Sequence, residues 1–178
     1  QTELEKQIDQ DDFSPVTSVV MIQCVGSRSD DHPWCSKICC GTAIKNALTI
    51  KETSPETEVY ILYRDLRSYG LQEKYYREAR NRGVVFVRFE DDDPPEVVQQ
   101  GSLLQVKVNS SVFQESVTLP AGLVVLSAGI VPLETNVAIG KMLKVPLNQD
   151  GFFLEAHVKL RPVDFATDGV YVCGLAHG

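Results

Sequence analysis

Short apolar runs rich in β-branched residues alternate with amphipathic stretches through the first half of the chain. Three runs have the length and composition of buried strands: Ser18–Gln23, Glu58–Tyr63 and Val84–Phe89. Between them, helical spacing of apolar residues predicts one helix from about Ser36 to Ser54 and another over roughly 71–81, before Gly83. This strand–helix–strand–helix–strand order with short connections predicts an α/β fold, a doubly wound Rossmann-like lobe with a parallel sheet.

The second half of the chain follows a different pattern, with little helical periodicity. The acidic and proline-rich stretch Asp91–Pro95 interrupts the alternation, and the runs Leu103–Val108 and Val112–Leu119 then predict an antiparallel β-hairpin. Three further short strands are predicted: Leu123–Ser127, Phe152–Glu155 and Val170–Cys173. We therefore expect a connecting arm over 1–15, the Rossmann-like lobe over 16–100 and a β-rich, incomplete second lobe over 101–178.

Composition and charge exclude several classes of function. The net charge of −7 argues against a nucleic-acid surface, which requires a basic stripe. No apolar run approaches the ~20 residues of a membrane-spanning helix, and the polar, acidic start is not a signal peptide. Five cysteines without a secretory signal favour a cytoplasmic, reducing setting. The absent initiator Met and the glycine-containing end predict an internal piece of a longer protein.

Four of the five cysteines lie close together in sequence, at Cys24, Cys35, Cys39 and Cys40. Four thiolates hold either a cubane iron–sulfur cluster or a tetrahedral zinc ion. Cys24 ends a predicted strand, and Cys39 and Cys40 begin the following helix, where a doubly wound fold binds its ligand and a helix N-terminus stabilises thiolates. The spacing matches neither paired zinc knuckles nor common ferredoxin runs. Zinc, iron–sulfur, a redox disulfide pair and simple packing therefore remain open at this point.

The residues around these cysteines carry a family resemblance. The stretch VVMIQCVGSRSDDHPWCSKICCGTAIKNAL, followed by EVYILYRDLRSYG, resembles the A subunit of heterodisulfide reductase and its relatives in methanogens and sulfate reducers. The resemblance covers nearly all of residues 16–178. It implies a thioredoxin-reductase-like flavin domain, an incomplete FAD-binding lobe over 101–178, and other subunits of a heterodisulfide-reductase-like complex as partners. It also implies a [4Fe–4S] cluster on the four matching cysteines: Cys24, Cys35, Cys39 and Cys40.

The loop after the first strand lacks the dinucleotide-binding glycines. A disulfide-reductase-like nicotinamide lobe would carry G-x-G-x-x-G there, whereas this chain has the Cys24–Arg28 segment. We hypothesise that the cluster occupies or blocks the former dinucleotide position; the alternative is a nicotinamide bound by other contacts. The glycine-rich loop for the FAD pyrophosphate is also missing from the sequence, so we expect the chain alone to bind FAD poorly.

Two segments resemble the flavin-contacting parts of two-dinucleotide-domain flavoproteins. Val124–Gly129 reads as a strand followed by a small-residue turn, in which Ala128 and Gly129 let the backbone pass close to FAD. An ordinary tight turn explains this segment equally well. The final stretch resembles the family's last flavin-binding signature, with Cys173 as a buried strand residue and not a fifth ligand. Its predicted cofactor contacts are Gly174, Leu175, Ala176 and His177.

The sequence therefore predicts the electron-transfer part of a flavin- and iron–sulfur-dependent oxidoreductase. Electrons would pass between FAD and the [4Fe–4S] cluster, and no catalytic side chain is assigned within this chain. The resemblance places that chemistry in anaerobic metabolism. Two alternatives are a non-catalytic, zinc-stabilised binding module and an NAD(P)H-dependent flavin disulfide reductase, which would require both a redox cysteine pair and a nucleotide loop.

Overall fold

The computed structural model describes residues 1–9, 16–101, 103–110 and 115–177. It divides the chain into two compact units. The larger unit consists of Gln1–Val25 and Lys37–Ala128, and the smaller unit consists of Gly26–Ser36 together with the chain from Gly129 onward. Within the predicted connecting arm, Thr2–Asp9 form the helix α1, and residues 10–15 lie outside the described residues.

A four-stranded parallel sheet forms the centre of the larger unit, with strand order β3-β2-β1-β7. Its strands are β1 (Ser18–Val25), β2 (Glu58–Tyr63), β3 (Val85–Arg88) and β7 (Leu123–Ala128). The connecting helices are α2 (Cys39–Thr53) and α3 (Glu73–Asn81), the latter preceded by a 3-10 turn over Gly70–Gln72. The predicted α/β class and parallel sheet are confirmed.

The larger unit also contains an antiparallel sheet of three strands, in the order β4-β5-β6. These are β4 (Glu96–Gln100), β5 (Leu103–Ser110) and β6 (Glu115–Ala121). The predicted hairpin is confirmed as β5 and β6, whose connection 111–114 lies outside the described residues. Strand β4 was not predicted, because its side chains are mostly exposed and lack apolar alternation. Residues 101–128 therefore lie in the larger unit and not with the chain from Gly129 onward.

Side chains on the two faces of β1 pack into two different cores, because successive side chains of a strand point to opposite faces. Val19 and Met21 belong to a core group built with α1, α2 and α3. Val20 and Ile22 belong to a second group, built with residues of β5 and β6. Because both faces are covered, the first six residues of β1 are buried.

The smaller unit contains little regular structure. Its elements are the helix α4 (Asn136–Leu143), a 3-10 turn over Gly174–Ala176 and isolated β-bridges. The predicted strands Phe152–Glu155 and Val170–Cys173 are wrong, because each contributes a single bridge, Leu147–Phe153 and Asp164–Tyr171, and no ladder. Helix α4 was not predicted, since the sequence NVAIGKML has no polar face to contrast with its apolar residues.

The core of the smaller unit is correspondingly small. Its core group consists of Val145, Phe153, Phe165 and Val172, and Phe152 is buried outside this group. Cys173 is exposed, which corrects its predicted burial within a strand. Among the described residues of both units, no helix combines the length and apolar character needed to cross a membrane.

Candidate functional site

The carboxyl end of β1 is irregular at Cys24. The pairing of β1 with β7 passes from Ile22–Leu126 to Val25–Ala128, so that three steps on β1 match two on β7 and one extra residue bulges. Cys24 itself has a φ of 61°, in the left-handed region that is costly for a residue with a Cβ. Bulges and left-handed residues of this kind cluster next to functional sites. The local conformation therefore supports a functional site at the carboxyl end of β1.

The end of the neighbouring strand β2 contacts two of the predicted ligands. A guanidinium nitrogen of Arg64, Nη2, donates to the backbone oxygen of Cys24 at 3.2 Å, and Nη1 lies 3.4 Å from a carboxylate oxygen of Asp91. The thiol of Cys40 donates to the backbone oxygen of Asp65 at 3.8 Å. The Arg64 side chain is only 13% exposed, so its positive charge lies in partly desolvated surroundings beside Cys24.

Helix α2 begins at Cys39 and Cys40, the other two predicted ligands that lie in the larger unit. Cys39 is its first residue, and Cys40 is buried while Cys39 is half-buried. The preceding residue, Ile38, makes no side-chain hydrogen bond that caps the helix. The dipole of a helix stabilises negative charge near its N-terminus, where Cys39 and Cys40 lie.

The fourth predicted ligand, Cys35, is half-buried and lies on a loop of the smaller unit, whereas Cys24, Cys39 and Cys40 lie in the larger unit. No three Cys, His, Asp or Glu side chains form a group able to hold a metal ion in the part of the chain that the structure describes. The chemistry of the donor set nevertheless fits a thiolate-bound cluster, because four cysteines provide four soft sulfur ligands.

The predicted flavin-side residue Gly129 has a clear reason to be glycine. A Cβ at this position would lie 2.7 Å from the backbone oxygen of Gly26 and 2.9 Å from the Cβ of Ser27. Both distances are shorter than side chains tolerate. The sequence attributed the small residue to close passage of a cofactor, but the structure shows that the loop residues Gly26 and Ser27 already exclude a side chain.

The second predicted flavin-side segment ends in a paired histidine. Gly174 has a φ of 63° and begins the 3-10 turn, so its glycine serves the left-handed conformation. Leu175 is exposed, and the backbone oxygen of Ala176 accepts a hydrogen bond from the N–H of Phe153. Nε2 of His177 lies 2.6 Å from a carboxylate oxygen of Glu155, whose side chain is 8% exposed. This pairing orients the imidazole of His177.

Some residues at this site carry no signal in the amino-acid sequence. Asp65 acts through its backbone oxygen, which no pattern of side chains reveals, and Glu155 is identified only by its contact with His177. The sequence indicates Arg64 as a charge that offsets a cluster or faces a partner. It directly follows a predicted strand, at the carboxyl end of the sheet where parallel strands place ligands.

The fold belongs to the class of thioredoxin-reductase-like Rossmann-type domains. The structure resembles thioredoxin reductase from Lactococcus lactis with a TM-score of 0.55 at 15% identity, over 96% of this chain and 48% of that one. It also resembles thioredoxin reductase from T. acidophilum, with a TM-score of 0.50 at 19% identity over 90% and 44% of the two chains. At these identities the likeness establishes the fold alone.

Sequence comparison identifies the particular family, although no protein-family profile matches the chain. The chain is 46% identical over 164 residues to the iron-sulfur A subunit of CoB–CoM heterodisulfide reductase from Methanocaldococcus jannaschii, covering 90% of this chain and 25% of that protein. It is 44% identical over 162 residues to the A subunit of ferredoxin:CoB-CoM heterodisulfide reductase from Methanosarcina acetivorans, covering 89% and 20%. The chain belongs to the family of heterodisulfide reductase A subunits and spans a fifth to a quarter of these relatives.

Proposed function

We propose that this chain carries the cluster-binding part of a flavin- and iron–sulfur-dependent oxidoreductase, in which electrons pass between FAD and a [4Fe–4S] cluster. The observation that carries the proposal is the position of Cys24 and of Cys39–Cys40. They occupy the end of β1 and the start of α2, where a Rossmann-type lobe otherwise holds a dinucleotide. The family relatives, one of which is named an iron-sulfur subunit, support the same assignment.

In this proposal, Cys24, Cys35, Cys39 and Cys40 hold the cluster through their thiolates. A bound cluster supplies one-electron transfer, with a potential set by nearby charges and hydrogen bonds. Two features of this chain contribute to the local charge: the start of α2 and the partly desolvated charge of Arg64. Both favour a negatively charged ligand set.

The proposed flavin contacts are Ala128, Gly129, Gly174, Leu175, Ala176 and His177. Gly174 and His177 lie at the 3-10 turn, where Glu155 orients the imidazole. Because the glycine-rich loop for the FAD pyrophosphate is missing from this sequence, FAD binding is proposed for a longer protein of this family and not for the chain alone. Partner subunits, a cytoplasmic location and a role in anaerobic metabolism belong to the same proposal.

Iron and acid-labile sulfide analysis of anaerobically purified protein tests this proposal. We expect about four irons and four sulfides per chain and a brown protein with broad visible absorption. Cys24→Ala and Cys39→Ala should each lose most of the iron, while Cys173→Ala, which alters an exposed cysteine outside the proposed site, should retain it.

Two outcomes would overturn the proposal in different ways. A colourless protein that contains one zinc ion and no iron would indicate a zinc-stabilised binding module. Tight, stoichiometric binding of NADH or NADPH would indicate that a nicotinamide still binds to this fold and that the cysteines do not replace it.

A further inference from the structure

The two residues that flank Cys35 both bind the backbone of a single residue, Ile130. Nε1 of Trp34 donates to the backbone oxygen of Ile130 at 2.7 Å. The backbone N–H of Ile130 donates to Oγ of Ser36 at 2.8 Å. Both polar groups of the Ile130 backbone are therefore used by the neighbours of Cys35, and all four residues belong to the smaller unit.

The indole of Trp34 is held on its apolar side as well. Its ring meets Phe152 edge-on, with centroids 5.6 Å apart, and lies 4.9 Å from the ring of His32. Phe152 is 2% exposed, so the Trp34 ring rests on a buried neighbour. An indole with both a hydrogen-bonded N–H and packed ring edges has little freedom to move.

The beginning of the same loop also lies against the segment that contains Ile130. The backbone of Gly26 approaches Gly129 so closely that only glycine fits there. Within the loop, the N–H of Arg28 donates to the backbone oxygen of Trp34 at 3.1 Å, which joins the start of the loop to its end. The loop that carries Cys35 thus lies against Gly129 at its start and is hydrogen-bonded to Ile130 at its end.

We propose that Trp34 and Ser36 are positioning residues that hold Cys35 on the backbone of Ile130, so that the Gly129–Ile130 segment determines where this thiol lies. The inference rests on the proposed function only for the roles of Cys35 as a cluster ligand and of Gly129 as a flavin neighbour. The proposal has a structural consequence. A displacement of the Gly129–Ile130 segment moves a cluster ligand, and binding of a cluster by Cys35 restrains that segment.

Thiol reactivity in the metal-free chain tests the link without requiring a cluster. Ser36→Ala removes the acceptor for the Ile130 N–H, and Trp34→Phe removes the donor while retaining an aromatic ring. Each variant should raise the iodoacetamide alkylation rate of Cys35, measured by peptide mass spectrometry, by about two- to tenfold. This is the factor by which losing one ordinary hydrogen bond changes a local opening equilibrium.

Ser29→Ala is the matched control. It makes the same substitution in the same loop, but Oγ of Ser29 accepts an exposed hydrogen bond from the His32 N–H, within the loop itself. It should leave the Cys35 rate unchanged, and the rate of the exposed Cys173 should be the same in all variants. Unchanged Cys35 rates in both Ser36→Ala and Trp34→Phe would overturn the inference. A uniform rise at all five cysteines would also overturn it, because the effect would then be general unfolding.

A spectroscopic measurement separates positioning from mere loop packing. Trp34 is the single tryptophan of the chain, so its emission reports directly on the residue next to Cys35. In cluster-loaded wild-type protein, the cluster should quench this emission. A change from the wild-type EPR spectrum of the reduced cluster in Ser36→Ala, but not in Ser29→Ala, would support the inference. Wild-type EPR spectra in both variants would contradict it. A wild-type chain that binds no iron would refute the proposed function, whereas the alkylation rates would still decide the link to Ile130.

Discussion

The two units position their cysteines by different physical means. In the larger unit, Cys24 ends a strand of a parallel sheet, and Cys39 and Cys40 begin a helix of fifteen residues. In the smaller unit, Cys35 lies on a loop whose position depends on the individual contacts of Trp34 and Ser36. Regular structure therefore positions Cys39 and Cys40, and the irregular end of a strand, bound by Arg64, positions Cys24. A few side-chain contacts within a loop position Cys35.

The cores of the two units also differ in size. Within the described ranges, the larger unit contains two groups of buried apolar residues, of twelve and nine members, whereas the core group of the smaller unit has four. Among the described residues, the smaller unit nevertheless exposes more of the large apolar side chains, including Leu133, Met142 and Leu160. The smaller unit therefore gains less stability from its own core.

The largest expected effect comes from the core of the larger unit. Ile61 is fully buried in the middle of β2, so Ile61→Ala should lower the free energy of unfolding by about 2–5 kcal/mol. Phe153→Ala in the smaller unit should cost less than the about 3–5 kcal/mol typical of a full core, since its neighbours can relax toward solvent. Urea unfolding measures both. An equal or larger loss for Phe153→Ala would break the comparison between the two cores.

A pair of glycine substitutions sharpens the comparison between loop and helix. Gly129→Ala should destabilise the chain by about 1–3 kcal/mol, because its Cβ would meet the backbone of Gly26. Gly41→Ala in α2 should be neutral or stabilising by up to about 1 kcal/mol, because the nearest atom to its Cβ is 3.7 Å away and alanine favours the helix. Thermal unfolding of both variants tests this. Equal effects of the two substitutions would disprove the close approach at Gly129.

Arg64 offers a test of how the end of β2 supports Cys24. Arg64→Met removes a charged hydrogen bond to the backbone oxygen of Cys24 and should cost about 1.5–3 kcal/mol in unfolding free energy. Asp91→Asn should cost at most about 1 kcal/mol, because the Asp91 side chain is 62% exposed and its ion pair with Arg64 is screened by water. The reverse order of losses in urea unfolding would show that the ion pair, and not the contact with Cys24, is the main role of Arg64.

The smallest expected effect is an alkaline destabilisation of the larger unit. Burial raises the pKa of Tyr60 above its usual value of 10.0, and a hydrogen bond to Glu58 raises it further; burial also raises the pKa of Tyr63. Since the folded pKa values lie above the unfolded value, unfolding free energy should fall as the pH rises above 10.0. Tyr60→Phe and Tyr63→Phe should each reduce the loss above pH 10.0. An unchanged pH dependence in the double variant would contradict this.

The sequence alone predicted most of the larger unit. Strands β1, β2, β3 and β7 and helices α2 and α3 form close to where the pattern of apolar residues placed them. For the central strands β1 and β2, the reason is that a strand packed on both faces needs a continuous apolar run. The exposed strand β4 and the helix α4 carry no such signal. The division into two units was also not predictable, because the chain leaves the larger unit after Val25 and returns to it at Lys37. A discontinuous unit is defined by contacts between distant residues and not by local pattern.

The candidate site also combines features that follow from local sequence pattern with features that depend on contacts between distant residues. Its cysteines, and their positions at a strand end and a helix start, follow from residue type and local periodicity, which the sequence contains in full. The contact of Arg64 with Cys24, the exclusion of a side chain at Gly129 and the hydrogen bonds of Trp34 and Ser36 with Ile130 join residues that are far apart along the chain. Such contacts depend on how the chain packs, so only the tertiary structure decided them.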